Sequence, residues 1–347
     1  TAYIEEALQC GPEIVAHRLS ADDLLDFDSF LDAPPHEEPF AGLRGLAKDR
    51  AMVDRAFCIG ATTMLTGLGA DEIHDLHPFY LADLLLQGRI CQAWREACKW
   101  AQGRNCNPWA ILLPFGLATL PPIWFISNLV KRRQKSAAVR LNQQSDWTVP
   151  PWILLDFVRR YALWDRAIEN AQHMYRLCQR TDLSVTLNAI ENRAGDVLRW
   201  SVAAPRGIAI AHPFLDRRLL CFGLGMQLRL QPEPGQMKPV LAEAMRDILP
   251  ECICHRRRKG HFDEVYYRGL SRNLQHLEAM VRQMPSALLK MFDQDMLLKY
   301  LQEARIAGAN VRQLQRMDSV LAIIHWFCLE SQWRQVRTAP TQVVHVC

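Results

Sequence analysis

At 347 residues, 49% hydrophobic and 22% charged, the chain can bury a large core, as one large domain or two ordinary ones. Its formal charge of +4 is too small to point to a nucleic-acid partner, and it carries no RNA- or DNA-binding motif. Eleven cysteines, an odd number without a small-domain framework, read as reduced thiols in a cytoplasmic protein.

The sequence starts at Thr1 with no signal peptide and runs straight into Tyr3-Ile-Glu-Glu-Ala-Leu8, which reads as mid-helix. The expectation is a piece that has lost its front end. Residues 1–75 read as helix, strand, helix, helix, strand. Ile14 to Arg18 is short and strand-like, and Ser20 caps a helix start. A helical stretch closes at Asp54-Arg55 before a strand at Ala61–Leu65, set in the apolar run Ile59–Leu65. Such a run suits a strand with little exposed surface in a parallel sheet.

From Phe79 onward the pattern is almost wholly helical. Ile90, Ala93, Trp94, Ala97 and Trp100 share one helix face. Pro108 to Val130 carries no charge and is followed by Lys131-Arg132-Arg133, enough length to span a bilayer. Pro114 and Pro121-Pro122 break any single helix there, so a pair of short buried or partner-facing helices is expected, with a loose membrane-surface contact left open. Residues 101–150 are irregular and suit a lid or docking surface. Val149-Pro-Pro151 opens a further helical region, Trp152 to Trp200, and the last third is helical around a crossing at Gln231–Gly235. No internal repeat is present.

The apolar run ends on Thr66-Gly67-Leu68-Gly69-Ala70-Asp71-Glu72. Ligands of open α/β sheets sit beyond the carboxyl ends of strands. Glycines let backbone approach them, and carboxylates there hold a divalent cation beside phosphates. The plainer alternative is a strand-to-helix turn in which Asp71 caps the next helix. Cys252, Cys254 and His255 lack a second pair at zinc spacing, and His74, Asp75 and His77 read as polar helix-start residues.

Three later stretches follow that loop: His212-Pro-Phe-Leu-Asp-Arg-Arg-Leu219, Met237-Lys-Pro-Val-Leu-Ala-Glu-Ala-Met-Arg-Asp-Ile-Leu-Pro250 and Arg256-Arg-Arg-Lys-Gly-His-Phe262. In this order the chain resembles the synthetase domain of the asparagine synthetase family, which includes β-lactam synthetases and lasso-peptide macrolactam cyclases. The matching motifs span Thr66 to Phe262. Pro150-Pro-Trp152 to Asp156, Ala211 to Asp216 and the Arg256 run look most like the lasso-type cyclases.

The resemblance implies an α/β fold with a parallel-sheet ATP-pyrophosphatase (adenine nucleotide alpha hydrolase-like) core. That core is N-terminally incomplete, with a predominantly helical C-terminal half. Residues 1–75 would be the remainder of the nucleotide-binding core, 76–200 a helical insert and 201–347 a helical C-terminal part. It implies ATP and Mg2+, a substrate carboxylate that is adenylated, and an amine that captures it. The substrate would be a precursor peptide or a small amino acid, with a leader-peptide-binding or protease partner in the first case.

By the same resemblance Thr66, Gly67, Leu68 and Gly69 shape the loop under the nucleotide. Asp71 is the magnesium carboxylate, Glu72 supports it, and Lys238 faces the reacting centre. Arg257 and Lys259 would grip pyrophosphate. The alternatives remain a solvated lysine and a solvated basic face. Asp216 caps a helix. His212 and His261 are candidates for deprotonating the amine by their pKa range, or structural histidines.

The family's pyrophosphate loop, S-G-G-x-D-S-S, does not occur in these residues, and no glutaminase domain is present. Leu68 stands where asparagine synthetases carry a glutamate, and Ala209 and Ala211 replace a Glu and an Arg. The fragment alone is therefore expected to be a poor enzyme, and a pseudoenzyme or peptide-binding subunit stands as the alternative of a different class.

Overall fold

The computed structural model describes residues 2–11, 13–74, 77–120, 149–174, 180–191, 197–226, 238–256, 263–305 and 311–338. It is mostly helical with a small parallel sheet. In chain order come α1 (Ala2–Leu8), α2 (Leu46–Cys58), β1 (Thr63–Leu65), α3 (Ala70–His74), α4 (Tyr80–Leu86), α5 (Ile90–Arg104) and α6 (Trp109–Ile111). Helices Leu155–Arg160, Leu163–Met174 and Thr181–Glu191 follow, then β2 (Ala209–Ala211). The remainder is helical: Arg217–Met226, Pro239–Ala244, Glu251–Cys254, Asp263–Arg282, Ser286–Leu289, Gln294–Arg305 and Val311–Thr338.

β1 and β2 pair in parallel, with Thr63 opposite Ala209, Met64 opposite Ile210 and Leu65 opposite Ala211. The 143 residues from 66 to 208 form the crossover that a parallel pair requires, most of it helical where described. Ile210 is buried and Met64 packs on the core, but Leu65 is 70% exposed. The strand is therefore shorter and more exposed than the apolar run predicts. Ile14–Arg18 forms no strand, and Ile14 and Val15 face solvent. Ser20 caps no helix. Its hydroxyl accepts the Asp22 amide at 3.2 Å and closes a turn.

Two apolar clusters organise the chain. The larger one joins Phe27, Phe30, Leu43, Leu46 and Val53 to Ile208 and Ile210 of the sheet region, and to Leu270, Leu277, Leu301 and Leu321 of the late helices. Packing there is closest at Gly269, where an added Cβ would stand 2.0 Å from the Asp26 carbonyl oxygen. Any larger residue would push the Asp263–Arg282 helix off the 25–28 loop. The smaller cluster joins Leu81 and Leu84 to Ala93, Ala97, Trp100, Ile111 and Leu112.

The α5 face differs from the predicted one by a small rotation: Ile90 and Trp94 are exposed, while Ala93, Glu96, Ala97, Trp100 and Ala101 are buried. Glu96 tolerates this because Tyr80 donates to it at 3.2 Å and Lys99 pairs with it at 3.1 Å. Asp83 of α4 caps the Thr181–Glu191 helix from a distance, accepting the Thr181 amide at 3.0 Å and its hydroxyl at 3.0 Å. The first part of the apolar stretch, 108–120, forms α6, a π-helical turn at Leu112–Gly116 and a 3-10 turn at Leu117–Thr119; 121–130 lie outside the described residues, as does Gln231–Gly235. Among the described residues no helix is long and apolar enough to cross a membrane.

A buried polar network crosses the larger core. Arg44 meets Asp26 at 3.2 Å and Asp318 at 3.4 Å, and its guanidinium lies 5.0 Å from the Tyr266 ring centroid. Tyr266 donates to Asp318 at 2.9 Å, and Lys48 pairs with Asp26. Burial pushes the Asp318 carboxyl up to about 6, against the pull of Arg44 and the Tyr266 hydroxyl. Desolvation thus outweighs the ion pair.

A carboxyl raised in the folded state binds its proton more tightly there than when unfolded. Stability then falls as pH rises from about 4 to about 6. Asp318→Asn should remove that component, up to about 3 kcal/mol. Thermal midpoints of both proteins across pH 4–7 test this: the variant should lose less stability over that window, and an unchanged pH dependence would contradict the assignment.

Candidate functional site

The site is built where β1 and β2 end together. One residue past the last register pair, the Thr66 amide donates to the Ala211 carbonyl at 3.0 Å, and Thr66 Oγ1 lies 2.6 Å from His212 Nδ1. The same hydroxyl oxygen accepts the Leu68 amide at 3.3 Å, so Thr66 holds the strand end and the first turn of the loop at once. Gly69 then adopts φ +95°, and an added Cβ there would stand 2.5 Å from Leu215 Cδ2. Both the backbone and the neighbour exclude a side chain at this point.

The loop delivers the chain into α3, whose first turns close through Ala70 N to Gly67 O and Ile73 N to Gly69 O, both at 3.2 Å. α3 is gripped by the later motif. The Phe214 ring meets the His74 ring edge-on at 5.7 Å, and Gly223 lets the Arg217–Met226 helix close on Ile73. An added Cβ at Gly223 would fall 2.0 Å from Ile73 Cγ2. Asp216 starts that helix as predicted, accepting the Arg218 amide at 2.9 Å. Hydrogen bonds from Arg218 hold its carboxyl below the usual range.

Asp71 lies inside the first turn of α3 rather than at a cap position, so the simple capping alternative does not hold. Its Oδ1 stands 2.7 Å from Lys238 Nζ. Lys238 is left-handed, φ +46° and ψ +58°, immediately before Pro239. A non-glycine residue held in that region persists only where surrounding contacts impose it. Its side chain is largely buried while Asp71 is about half exposed, so Lys238 does not sit on a solvated face. Glu72 is half-buried on the same turn, Leu68 is exposed in the loop, Ala211 is half-buried at the end of β2, and Ala209 is exposed at its start, the far end of the ladder.

The structure therefore unites Thr66, Gly67, Leu68, Gly69, Asp71, Glu72 and Lys238. Arg257, Lys259 and His261 lie outside the described residues. Arg256, the first of that basic run, stands over the Tyr3 ring at 4.9 Å. Sequence reasoning weighed His212 only as a base or a structural histidine; its bond to Thr66 follows from its place one residue after β2, which no local pattern discloses.

His74 corrects the helix-start expectation: it ends α3 and is buried, His77 meets the Phe79 ring edge-on, and Asp75 lies outside the described residues. Cys254 is buried with its thiol 3.8 Å from the Met245 carbonyl. Among the described residues no group of three or more His, Cys, Asp or Glu is placed to hold a metal ion. Magnesium is commonly held by one or two carboxylates with phosphate oxygens completing the shell. Asp71 suits that shared role and not an all-protein cage.

Glycine loop, carboxylate and lysine thus gather past the carboxyl ends of the two parallel strands, the position at which open α/β sheets bind ligands. The chain belongs to the asparagine synthase family: the model of that family matches residues 15–328. Membership points to an ATP-dependent ligase or synthetase of the carbon–nitrogen class. No curated protein and no solved structure matches the chain.

Gly69→Ala should destabilise by about 1–3 kcal/mol, from the left-handed backbone and the contact with Leu215. Adding Leu215→Ala should recover the steric share only. Thermal melts of the single and double variants check this, and an unshifted single variant would contradict the loop geometry.

Proposed function

We propose that the protein is an ATP-dependent amide-forming ligase whose carboxylate substrate belongs to a precursor peptide, giving a macrolactam. The observation that carries this reading is the Asp71–Lys238 pair at 2.7 Å, set at the strand ends beside the Thr66–Gly69 loop. A carboxylate that can share a cation with phosphates and an ammonium that can meet developing negative charge are the two groups such a reaction needs.

In the first step the substrate carboxylate attacks the α-phosphorus of ATP. The bond to the bridging oxygen breaks, pyrophosphate leaves, and an acyl-adenylate forms. In the second step the peptide's amine attacks the acyl carbon, loses a proton, and expels AMP as the amide forms. The loop from Thr66 to Gly69 would support the nucleotide, and Asp71, with Glu72 beside it, would be the protein's carboxylate for magnesium. Bound there, magnesium supplies charge neutralisation for the leaving group. Lys238 exchanges its bond to Asp71 for the reacting phosphate and acyl oxygens, stabilising charge where it develops.

Arg257 and Lys259 hold pyrophosphate through fork and point-charge contacts. Exposed, apolar Leu68 suits a bulky peptide acyl group better than free aspartate. A glutamine-hydrolysing conversion of aspartate to asparagine is the alternative within the family. A leader-peptide-binding or protease partner would deliver the peptide in a cytoplasmic setting. Leu68, Ala209 and Ala211 favour a second reading, a peptide-binding subunit that keeps the fold without ATP chemistry.

ATP–pyrophosphate exchange by the full-length protein with its peptide separates these readings. Asp71→Asn and Lys238→Met should each lower exchange at least a hundredfold. Both should change stability by less than about 1 kcal/mol, because the pair is partly exposed. Exchange that survives Asp71→Asn would overturn the assignment. Tight peptide binding without any exchange in the native protein would support the binding-subunit reading instead.

A further inference from the structure

We infer that His212 is the positioning residue of the glycine loop, acting through the Thr66 hydroxyl. This deepens the proposed function and rests on its reading of the loop as the nucleotide loop; the clamp itself rests on geometry. Thr66 Oγ1 has one proton to donate and lone pairs to accept with. The Leu68 amide, at 3.3 Å, takes a lone pair. We assign His212 Nδ1, at 2.6 Å, as the acceptor of that proton, which is the tautomer carrying its own hydrogen on Nε2. With its proton committed to the imidazole, the hydroxyl turns a lone pair toward Leu68, and the turn into Gly69 is fixed.

The placement of the two side chains follows from the sheet. Leu65 and Ala211 are the last register pair, and the Thr66 amide still bonds to the Ala211 carbonyl. In parallel strands, residues paired across the ladder project to the same face. Thr66 and His212, each one step beyond the last pair, therefore meet although 146 positions separate them. Pro213 follows His212 at once, and Leu215 packs against Gly69. One short segment thus supplies both the polar clamp on Thr66 and the apolar wall that only a glycine admits.

Asp71 follows this turn directly, so the clamp sets where its carboxylate lies relative to Lys238. His212 does this without touching a reacting group. The role requires an acceptor at the Nδ1 position. Asparagine places its Oδ1 close to that position, whereas leucine fills similar space without an acceptor.

Deuterium exchange of the 347-residue chain tests the clamp without reference to activity. Residues 64–74 should exchange about tenfold faster in Thr66→Val and in His212→Leu, the effect of losing one net hydrogen bond. Exchange in His212→Asn should stay within about twofold of the native protein, and the Asp263–Arg282 helix should be unchanged in all variants. The Thr66→Val/His212→Leu double variant should be no faster than either single one. Native exchange in His212→Leu, or exchange in His212→Asn as fast as in His212→Leu, would overturn the proposal. Should His212→Leu fold poorly, near-isosteric Thr66→Val decides alone: unchanged exchange there overturns it as well. Mg·ATP binding by the full-length variants separates the two layers. A loosened loop with unaltered Mg·ATP binding keeps the clamp and overturns the nucleotide reading of the loop.

Discussion

The parallel pairing of Thr63–Leu65 with Ala209–Ala211 is the contact on which the site depends. Three register pairs are a small ladder, yet they fix the step that brings residue 66 beside residue 212. Everything chemical follows from that alignment. The Thr66 hydroxyl finds His212, the Pro213–Leu215 turn closes over Gly69, and α3 leaves the loop in the direction that presents Asp71 to Lys238. Loop-closure entropy rises only slowly with length, so a crossover of this size is affordable once helices pack along it. The larger apolar cluster reaches Ile208 and Ile210, which anchors β2 to the late helices and leaves the strand ends open.

Two kinds of charge pairing serve different ends in this molecule. In the Arg44, Asp26, Asp318 and Tyr266 network the carboxylates and the tyrosine are buried while Arg44 reaches solvent, and it joins residues before α2 to the late helices; burial raises the Asp318 carboxyl despite its cationic neighbour. Such a network specifies which elements meet while adding little net stability. The Asp71–Lys238 pair is only partly buried and contributes little to the fold. A weak pair can be exchanged for another partner at low cost, which is what a site that accepts a charged ligand requires. Lys238 carries backbone strain as well, a feature that concentrates at functional positions.

Much of this was legible in the residues. The order of the glycine loop, the Pro-Phe-Leu-Asp motif and the Lys238 segment pointed to the family, and Asp216 capped its helix as its type and place suggested. The strand errors have a common cause. Ile14 and Val15 have strand-like character but no partner strand among the described residues, and the Ile59–Leu65 run is apolar without being covered. Composition reports what a segment can do, whereas burial depends on what packs against it. The α5 face turned because Glu96 found Tyr80 and Lys99, so a charged residue took a core position that periodicity assigned to Trp94. The bond between His212 and Thr66 was invisible for a related reason: hydrogen bonds between strand ends are long-range consequences of register.

Footprinting of Lys238 with an amine-reactive reagent, with and without Mg·ATP, tests the central claim most directly. Lys238 should be modified several-fold more slowly when Mg·ATP is present, while exposed Lys290 and Lys299 react at unchanged rates. Protection confined to Lys238 would place the nucleotide beside the Asp71–Lys238 pair. Equal modification with and without saturating Mg·ATP would contradict the proposal that ATP binds at the glycine loop.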